Sequence, residues 1–265
     1  MLDAYRIHER PYYRAVGSEL ASFEAAGALG LPILLKGPTG CGKTRLVRHM
    51  AHRWGLPLVT VACNEDTTAQ DLVGRFTLQG GDTRWVDGPL TLAARHGAVC
   101  YLDELVEARE DALVVVHPLS DDRRVLPLVA KSEVVSAHPD FKLVASYNPD
   151  YQASGSELKP STRQRFAALA LGYPPAEVEA EIVRYEAGAS AALAEVLVQL
   201  ALASRRLVGD GLVEGISTRM LVAAARLVAG GLSTAEACEL CLLQPLTDDA
   251  AVLDSLRAAL RACDP

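Results

Sequence analysis

Leu31-Pro32-Ile33-Leu34-Leu35-Lys36-Gly37-Pro38-Thr39-Gly40-Cys41-Gly42-Lys43-Thr44 carries a short apolar run straight into a complete G-x-x-x-x-G-K-[ST] pattern. Glycines at this spacing let the backbone curl so that successive N–H groups face phosphate oxygens. Lys43 supplies a cation for the outer phosphates and Thr44 a hydroxyl for Mg²⁺. A helix from about Gly42 to Trp54 would add its N-terminal dipole to the cradle. The expected ligand is a nucleoside triphosphate with Mg²⁺, held by Gly37, Pro38, Thr39, Gly40, Cys41, Gly42, Lys43 and Thr44. The competing reading, a glycine turn with no ligand, leaves the strand-then-helix setting unexplained.

Outward from this loop, short apolar segments alternate with helical patterns: Ile33–Lys36, Pro57–Val61, Ala98–Leu102, Phe141–Ser146 and Phe166–Leu171. That rhythm predicts an α/β fold, a parallel sheet with helices on both faces, whose ligands sit at the carboxyl ends of the strands. After Gly172-Tyr173-Pro174-Pro175 the pattern changes to a 3.6-residue period rich in Ala, Leu, Val and Glu. Breaks at Gly188, Gly209-Asp210-Gly211, Gly230-Gly231 and Pro245 divide it into four or five helices. Two domains are therefore expected, 1–172 and 173–265. Two stretches exceed a minimal βα repeat. One, 76–86, has alternating segments around Gly80-Gly81; the other, about 123–135, runs through Val125-Leu126-Pro127-Leu128 and Glu133-Val134-Val135. Both read as hairpins, either ordinary surface features or devices that grip something.

With 265 residues and 50% hydrophobic content the chain can bury a substantial core. A net charge of −7, with no Lys or Arg run, argues against a general affinity for nucleic acid or anionic membrane. The start lacks an apolar secretory core and no stretch is long enough to cross a bilayer, so a cytoplasmic protein is expected. Six scattered cysteines suit reduced thiols. Cys238-Glu239-Leu240-Cys241 has zinc-knuckle spacing but lies on one apolar helix face, which favours buried packing over a metal.

Hydrolysis of a bound triphosphate needs an acid for Mg²⁺ and a base for the attacking water at the tip of a neighbouring strand. Val99-Cys100-Tyr101-Leu102-Asp103-Glu104 offers both: Asp103 joins Thr44 as a metal-site residue and Glu104 polarises the water. On spacing alone the pair is also an ordinary acidic loop. Phe141–Ser146 leads to Asn148, a neutral group able to orient the water or bond the γ-phosphate; Asn-Pro is equally a common turn. Arg163 and Arg165 precede the last strand, where a guanidinium could neutralise transition-state charge or simply decorate a solvated turn. Arg219 opens a helix behind the N-cap candidate Ser217. A cation there opposes the helix dipole, which points to an anionic partner or to a plain surface residue.

Taken in order, these elements resemble the Walker A, Walker B, sensor 1, arginine-finger and sensor 2 elements of an AAA+ ATPase, over nearly the whole chain. The two hairpins resemble the insertions of the MoxR branch. Four segments look closer still to its CbbQ/NorQ subgroup: Leu35–Arg45, Pro57–Cys63, Asp71-Leu72-Val73-Gly74-Arg75 and His117-Pro118-Leu119-Ser120-Asp121-Asp122-Arg123-Arg124. The resemblance implies a three-layer αβα P-loop NTPase core followed by a small all-helical lid. It also implies Mg²⁺-dependent ATP hydrolysis by a homohexamer in the cytoplasm or associated with carboxysomes. A partner carrying a von Willebrand factor A domain, of the CbbO kind, is implied as well. The client would be Rubisco, freed of inhibitory sugar phosphates, for the CbbQ type, or nitric oxide reductase for the NorQ type. Arg165, directly before Phe166, best matches the family's finger, but Gln164 replaces the usual acid, so Arg163 stays open. Other classes fit less well. A small-molecule kinase needs an acceptor pocket and an arginine-rich lid. A guanine-nucleotide switch needs an Asn-Lys-x-Asp segment, and a DNA-acting ring needs a basic face.

Overall fold

The computed structural model describes residues 2–149 and 158–263. Its contacts group into two compact units, one of Met1–Gly37 with Lys43–Leu171, the other of Pro38–Gly42 with Gly172–Pro265.

The first unit is built on a five-stranded sheet in the order β2-β5-β8-β1-β9, every neighbouring pair parallel. The strands are β1 (Ile33–Lys36), β2 (Leu58–Ala62), β5 (Val99–Asp103), β8 (Lys142–Tyr147) and β9 (Ala167–Ala170). They fall within a residue or two of the five predicted runs, because buried parallel strands read as continuous apolar segments. The two faces separate by parity. Ile33, Leu35, Val99, Tyr101 and Val144 point to one side, where they pack on Leu46, Val47, Met50 and Ala51 of α2 (Lys43–Trp54) and on Phe23 of α1 (Glu19–Ala28). Leu34, Cys100, Leu102, Leu143, Ala145 and Tyr147 point to the other, against Leu72 of α3 (Ala69–Val73) and Leu90, Ala93 and Ala94 of α4 (Pro89–His96). A side-chain period of two fixes this register, so Asp103 and Ser146 must face the α2 side with Tyr101 and Val144.

Two antiparallel hairpins span 74–87 and 125–136, against expected limits of 76–86 and about 123–135. β3 (Gly74–Gln79) and β4 (Asp82–Asp87) stand between α3 and α4, and the chain reverses at Gly80-Gly81, where φ is +61° and +91°. Two consecutive positive φ values make the tight turn that glycine alone takes without strain. Phe76 and Trp85 meet directly across it, edge to face at 5.2 Å. After α5 (Glu110–Val115), β6 (Val125–Leu128) pairs with β7 (Glu133–Ser136), and α6 (Pro160–Arg163) precedes β9.

The second unit is helical: α7 (Ala176–Ala187), α8 (Ala191–Arg205), α9 (Thr218–Ala229), α10 (Thr234–Cys238), a π-turn at Glu239–Leu243, and α11 (Ala250–Cys263). Ser190, Ser217 and Ser233 cap α8, α9 and α10 through their hydroxyls. The core gathers Leu197, Leu200, Leu221, Leu242 and Leu256, and Cys238 is buried in it, as the apolar face suggested. Glu179 is fully buried there. Arg205 grips it at 2.7 and 2.8 Å and Thr218 donates to it at 2.5 Å, which satisfies a charge that would otherwise be costly. Among the described residues no helix is long and apolar enough to cross a membrane.

Candidate functional site

The carboxyl ends of β1, β5 and β8 converge, because these strands are near neighbours in the sheet. β1 runs into Gly37, whose N–H donates to Tyr147 O at 3.3 Å. Lys43 starts α2, is only 6% exposed, and donates from Nζ to Gly37 O at 2.8 Å. The loop tip Pro38–Gly42 groups with the second unit. Thr39 O accepts from the Tyr173 hydroxyl at 3.0 Å, and Gly40, at φ +69°, leaves no room for a side chain. A Cβ there would lie 2.7 Å from Ser217 and 3.3 Å from Arg219 Cβ.

Parity brings the acid of β5 onto the first turn of α2. Thr44 Oγ1 lies 3.4 Å from Asp103 Oδ2 and 3.3 Å from the Tyr101 hydroxyl. Asp103 Oδ1 accepts from Tyr101 at 2.6 Å and from Ser146 at 2.6 Å. Each hydroxyl has one proton, and both are spent on this carboxylate oxygen. Burial, reinforced by Asp103, pushes the Tyr101 phenol well above its usual range, so it stays a donor. Tyr101 and Ser146 do not stand out in the sequence as site candidates. Their signal is parity: a polar side chain two residues before Asp103 on β5, and another two before Asn148 on β8.

Glu104 follows in the left-handed region, φ 52° and ψ 49°. For a residue with a Cβ this costs about 1–3 kcal/mol and persists only where neighbours impose it. Here its N–H donates to Ser146 Oγ at 3.2 Å, and its Oε2 accepts from the Asn148 N–H at 3.1 Å. Its Oε1 lies 3.5 Å from Lys43 Nζ. Asn148 is 2% exposed. Lys43, Thr44, Asp103, Glu104 and Asn148 are thus one connected cluster. Cys63 borders it; burial, with Asp103 and Glu104 adding to it, pushes its thiol up to about 12.

The donor set suits a Mg²⁺–triphosphate. A hydroxyl and a carboxylate 3.4 Å apart match one hard cation. A buried ammonium at the start of a 12-residue helix matches an anion.

Arg163 ends α6, and among the described residues its side chain makes no hydrogen bond or ion pair. Arg165 Nη1 lies 3.5 Å from Asp121 Oδ2. In the second unit Arg219 is the second residue of α9, exposed at its surface.

Two families match the chain: "AAA domain (dynein-related subfamily)" over residues 32–166 and "CbbQ/NirQ/NorQ C-terminal" over 179–263. Protein CbbQ of Hydrogenophilus thermoluteolus is 59% identical over 97% of this chain and 96% of its own. Protein NorQ of Paracoccus denitrificans is 55% identical over 94% and 92%, and the denitrification regulatory protein NirQ of Pseudomonas aeruginosa 53% over 93% and 95%. Among solved structures, a point mutant of Thermotoga maritima RuvB superposes with a TM-score of 0.58 at 16% identity, covering 88% of this chain and 73% of that one. The latter likeness concerns the fold alone.

Proposed function

Because the chain belongs to the CbbQ/NirQ/NorQ group of AAA ATPases, we propose that it hydrolyses ATP with Mg²⁺ as one subunit of a homohexameric ring and applies the energy to a protein client. The observation that carries the ATPase reading is the cluster in which Glu104 touches both Lys43 and Asn148, with Thr44 beside Asp103. A bound Mg²⁺ supplies neutralisation of the outer phosphates. Thr44 would offer the ion a lone pair, its proton being directed to Asp103 or Tyr101, and Asp103 would help to hold it. Lys43 contributes its ammonium to the phosphates. Glu104 polarises the attacking water, and Asn148 orients that water. Arg219 within the subunit, and Arg163 or Arg165 from a neighbour, neutralise charge on the transferred phosphoryl group.

For the client the proposal is Rubisco, activated by release of inhibitory sugar phosphates together with a von Willebrand factor A domain partner of the CbbO kind. The work would take place in the cytoplasm or at carboxysomes. The higher identity to the CbbQ relative than to the NorQ relative supports this choice. NorQ-type activation of nitric oxide reductase is the second reading, since that relative also matches almost end to end. Purified protein, ATP and the partner are added to inhibited Rubisco. Recovery of carboxylation is the expected result. No recovery, with activation of nitric oxide reductase in the parallel assay, selects the second reading.

A further inference from the structure

Arg165 and Arg163 sit two residues apart yet are held very differently. Beside its contact with Asp121, Arg165 is 35% exposed on its side chain, and its Nε is buried without a hydrogen-bond partner among the described residues. Asp121 also binds Arg123, whose Nη2 lies 2.6 Å from Oδ2 and whose Nε lies 3.1 and 3.2 Å from the two oxygens. Arg123 therefore fixes the Asp121 carboxylate, and Arg165 makes a longer contact with the same Oδ2 oxygen.

The segment that carries Asp121 is itself anchored at both ends. At one end His117 Nε2 lies 3.0 Å from the hydroxyl of Thr162, a buried residue of α6, and the Ser120 hydroxyl donates to His117 O at 2.8 Å. At the other end Arg124, at φ 47°, donates from its two Nη atoms to Gly30 O and Phe141 O, both at 2.8 Å. Residues 117–124 thus form a bracket fixed to the body of the sheet by Arg124 and to the arginine-bearing turn by His117. Asp121 contacts both Arg123 and Arg165.

A free arginine side chain loses rotamer entropy when it is fixed on an anion. A counter-ion that already holds the guanidinium removes part of that loss, provided it is not so tight that the arginine cannot turn to the phosphate. A 3.5 Å contact to a carboxylate already bound by Arg123 meets both conditions. Among the described residues Arg163 has no such support. We propose that Asp121 is a positioning residue for Arg165, presenting its guanidinium to the triphosphate bound in the adjacent subunit. The proposal rests on the reading of this turn as the one that reaches a neighbour's site.

Mixed rings test it. Lys43→Ala chains, disabled for nucleotide but with the bracket intact, are combined with Arg165→Ala chains, and ATP hydrolysis is measured. The trans reading expects recovery of at least about tenfold over either chain alone. The same mixture is then made with chains carrying Lys43→Ala together with Asp121→Asn. Ring entry of the double variant is followed by mass measurement in ATP. If Asp121 acts through Arg165, these chains enter the ring but recover less than about a third of the activity. Asp121→Glu, which keeps the carboxylate, brings recovery back. Equal recovery with Asp121→Asn overturns the proposal, because Asp121 would then serve only its own subunit or none. Loss with Asp121→Glu as great as with Asn overturns it too. If Lys43→Ala chains do not rescue Arg165→Ala at all, the trans reading itself fails and the proposal falls with it, an outcome distinct from the other two.

Discussion

The Tyr101 hydroxyl donates to Asp103 Oδ1 at 2.6 Å, and the two residues stand two apart on one strand. The pleat places both on the α2 side of the sheet, where Ser146 reaches the same oxygen from β8. Asp103 is therefore set in place by two hydroxyls, leaving Oδ2 towards Thr44. Tyr101→Phe keeps the buried volume and removes one donor to an ionised group, an interaction worth about 1.5–3 kcal/mol. The Mg²⁺ concentration for half-maximal ATP hydrolysis should rise roughly tenfold. Ser146→Ala should do more, since it also strips the partner of the Glu104 N–H. An unchanged Mg²⁺ response in both variants would show that Asp103 does not depend on this support.

The buried charge of the helical unit makes a separate prediction. Glu179→Ala leaves Arg205, 13% exposed, without its counter-ion and should cost about 3–5 kcal/mol in urea unfolding. Replacing both partners with Leu and Met should recover most of that loss, because apolar packing substitutes well for a buried pair. A mild effect of Glu179→Ala would contradict the view that this pair is largely desolvated.

His117 gives the pH dependence a definite sign. Burial, with Arg165 beside it, holds its pKa below the usual 6.5, while Asp121 pulls weakly the other way. Thr162 is its hydrogen-bonding neighbour. The unfolded chain thus takes up the proton at higher pH than the folded one. His117 stabilises the fold fully above the unfolded value, and that contribution is lost as pH falls through it towards the folded value. His117→Gln should show a smaller loss of stability than the parent between about pH 7 and pH 5. Parallel curves for the two proteins would refute the assignment.

Thiol chemistry singles out the phosphate loop. Cys63 and Cys100 are buried, and burial pushes both thiols far up, so neither forms the reactive thiolate at neutral pH. Cys41, Cys241 and Cys263 are partly exposed, and of these three Cys41 lies within the loop. A maleimide should inactivate hydrolysis, ATP should slow the loss, and Cys41→Ala should resist it. Inactivation undiminished in Cys41→Ala would point elsewhere.

The fold and half of the site were legible in the chain itself. Gly37–Thr44 follows an apolar run, and each buried strand announced itself in the same way, because a sheet covered on both faces needs uninterrupted apolar residues. Asp103, Glu104 and Asn148 stood out as candidates because they lie one or two residues beyond such runs. Tyr101 and Ser146 were hidden inside them, where one polar residue does not disturb the apolar pattern; only parity, with Asp103 for Tyr101 and with Asn148 for Ser146, betrays them. The left-handed backbone of Glu104 had no signal, since it is imposed by Ser146 and Asn148 from another strand. Asp121 was equally silent: its pairing with Arg165 spans 44 residues and depends on how the 117–124 segment folds back on α6.

The central claim is that Glu104 activates water for a triphosphate held by Lys43 and Thr44. Glu104→Gln keeps the shape of the side chain and removes its basicity. Bound nucleotide and phosphate release in this variant, measured together, give the most direct test. Tight retention of unhydrolysed ATP with turnover reduced at least about a hundredfold is the predicted result. Turnover near that of the parent, or loss of ATP binding in a folded protein, would contradict it.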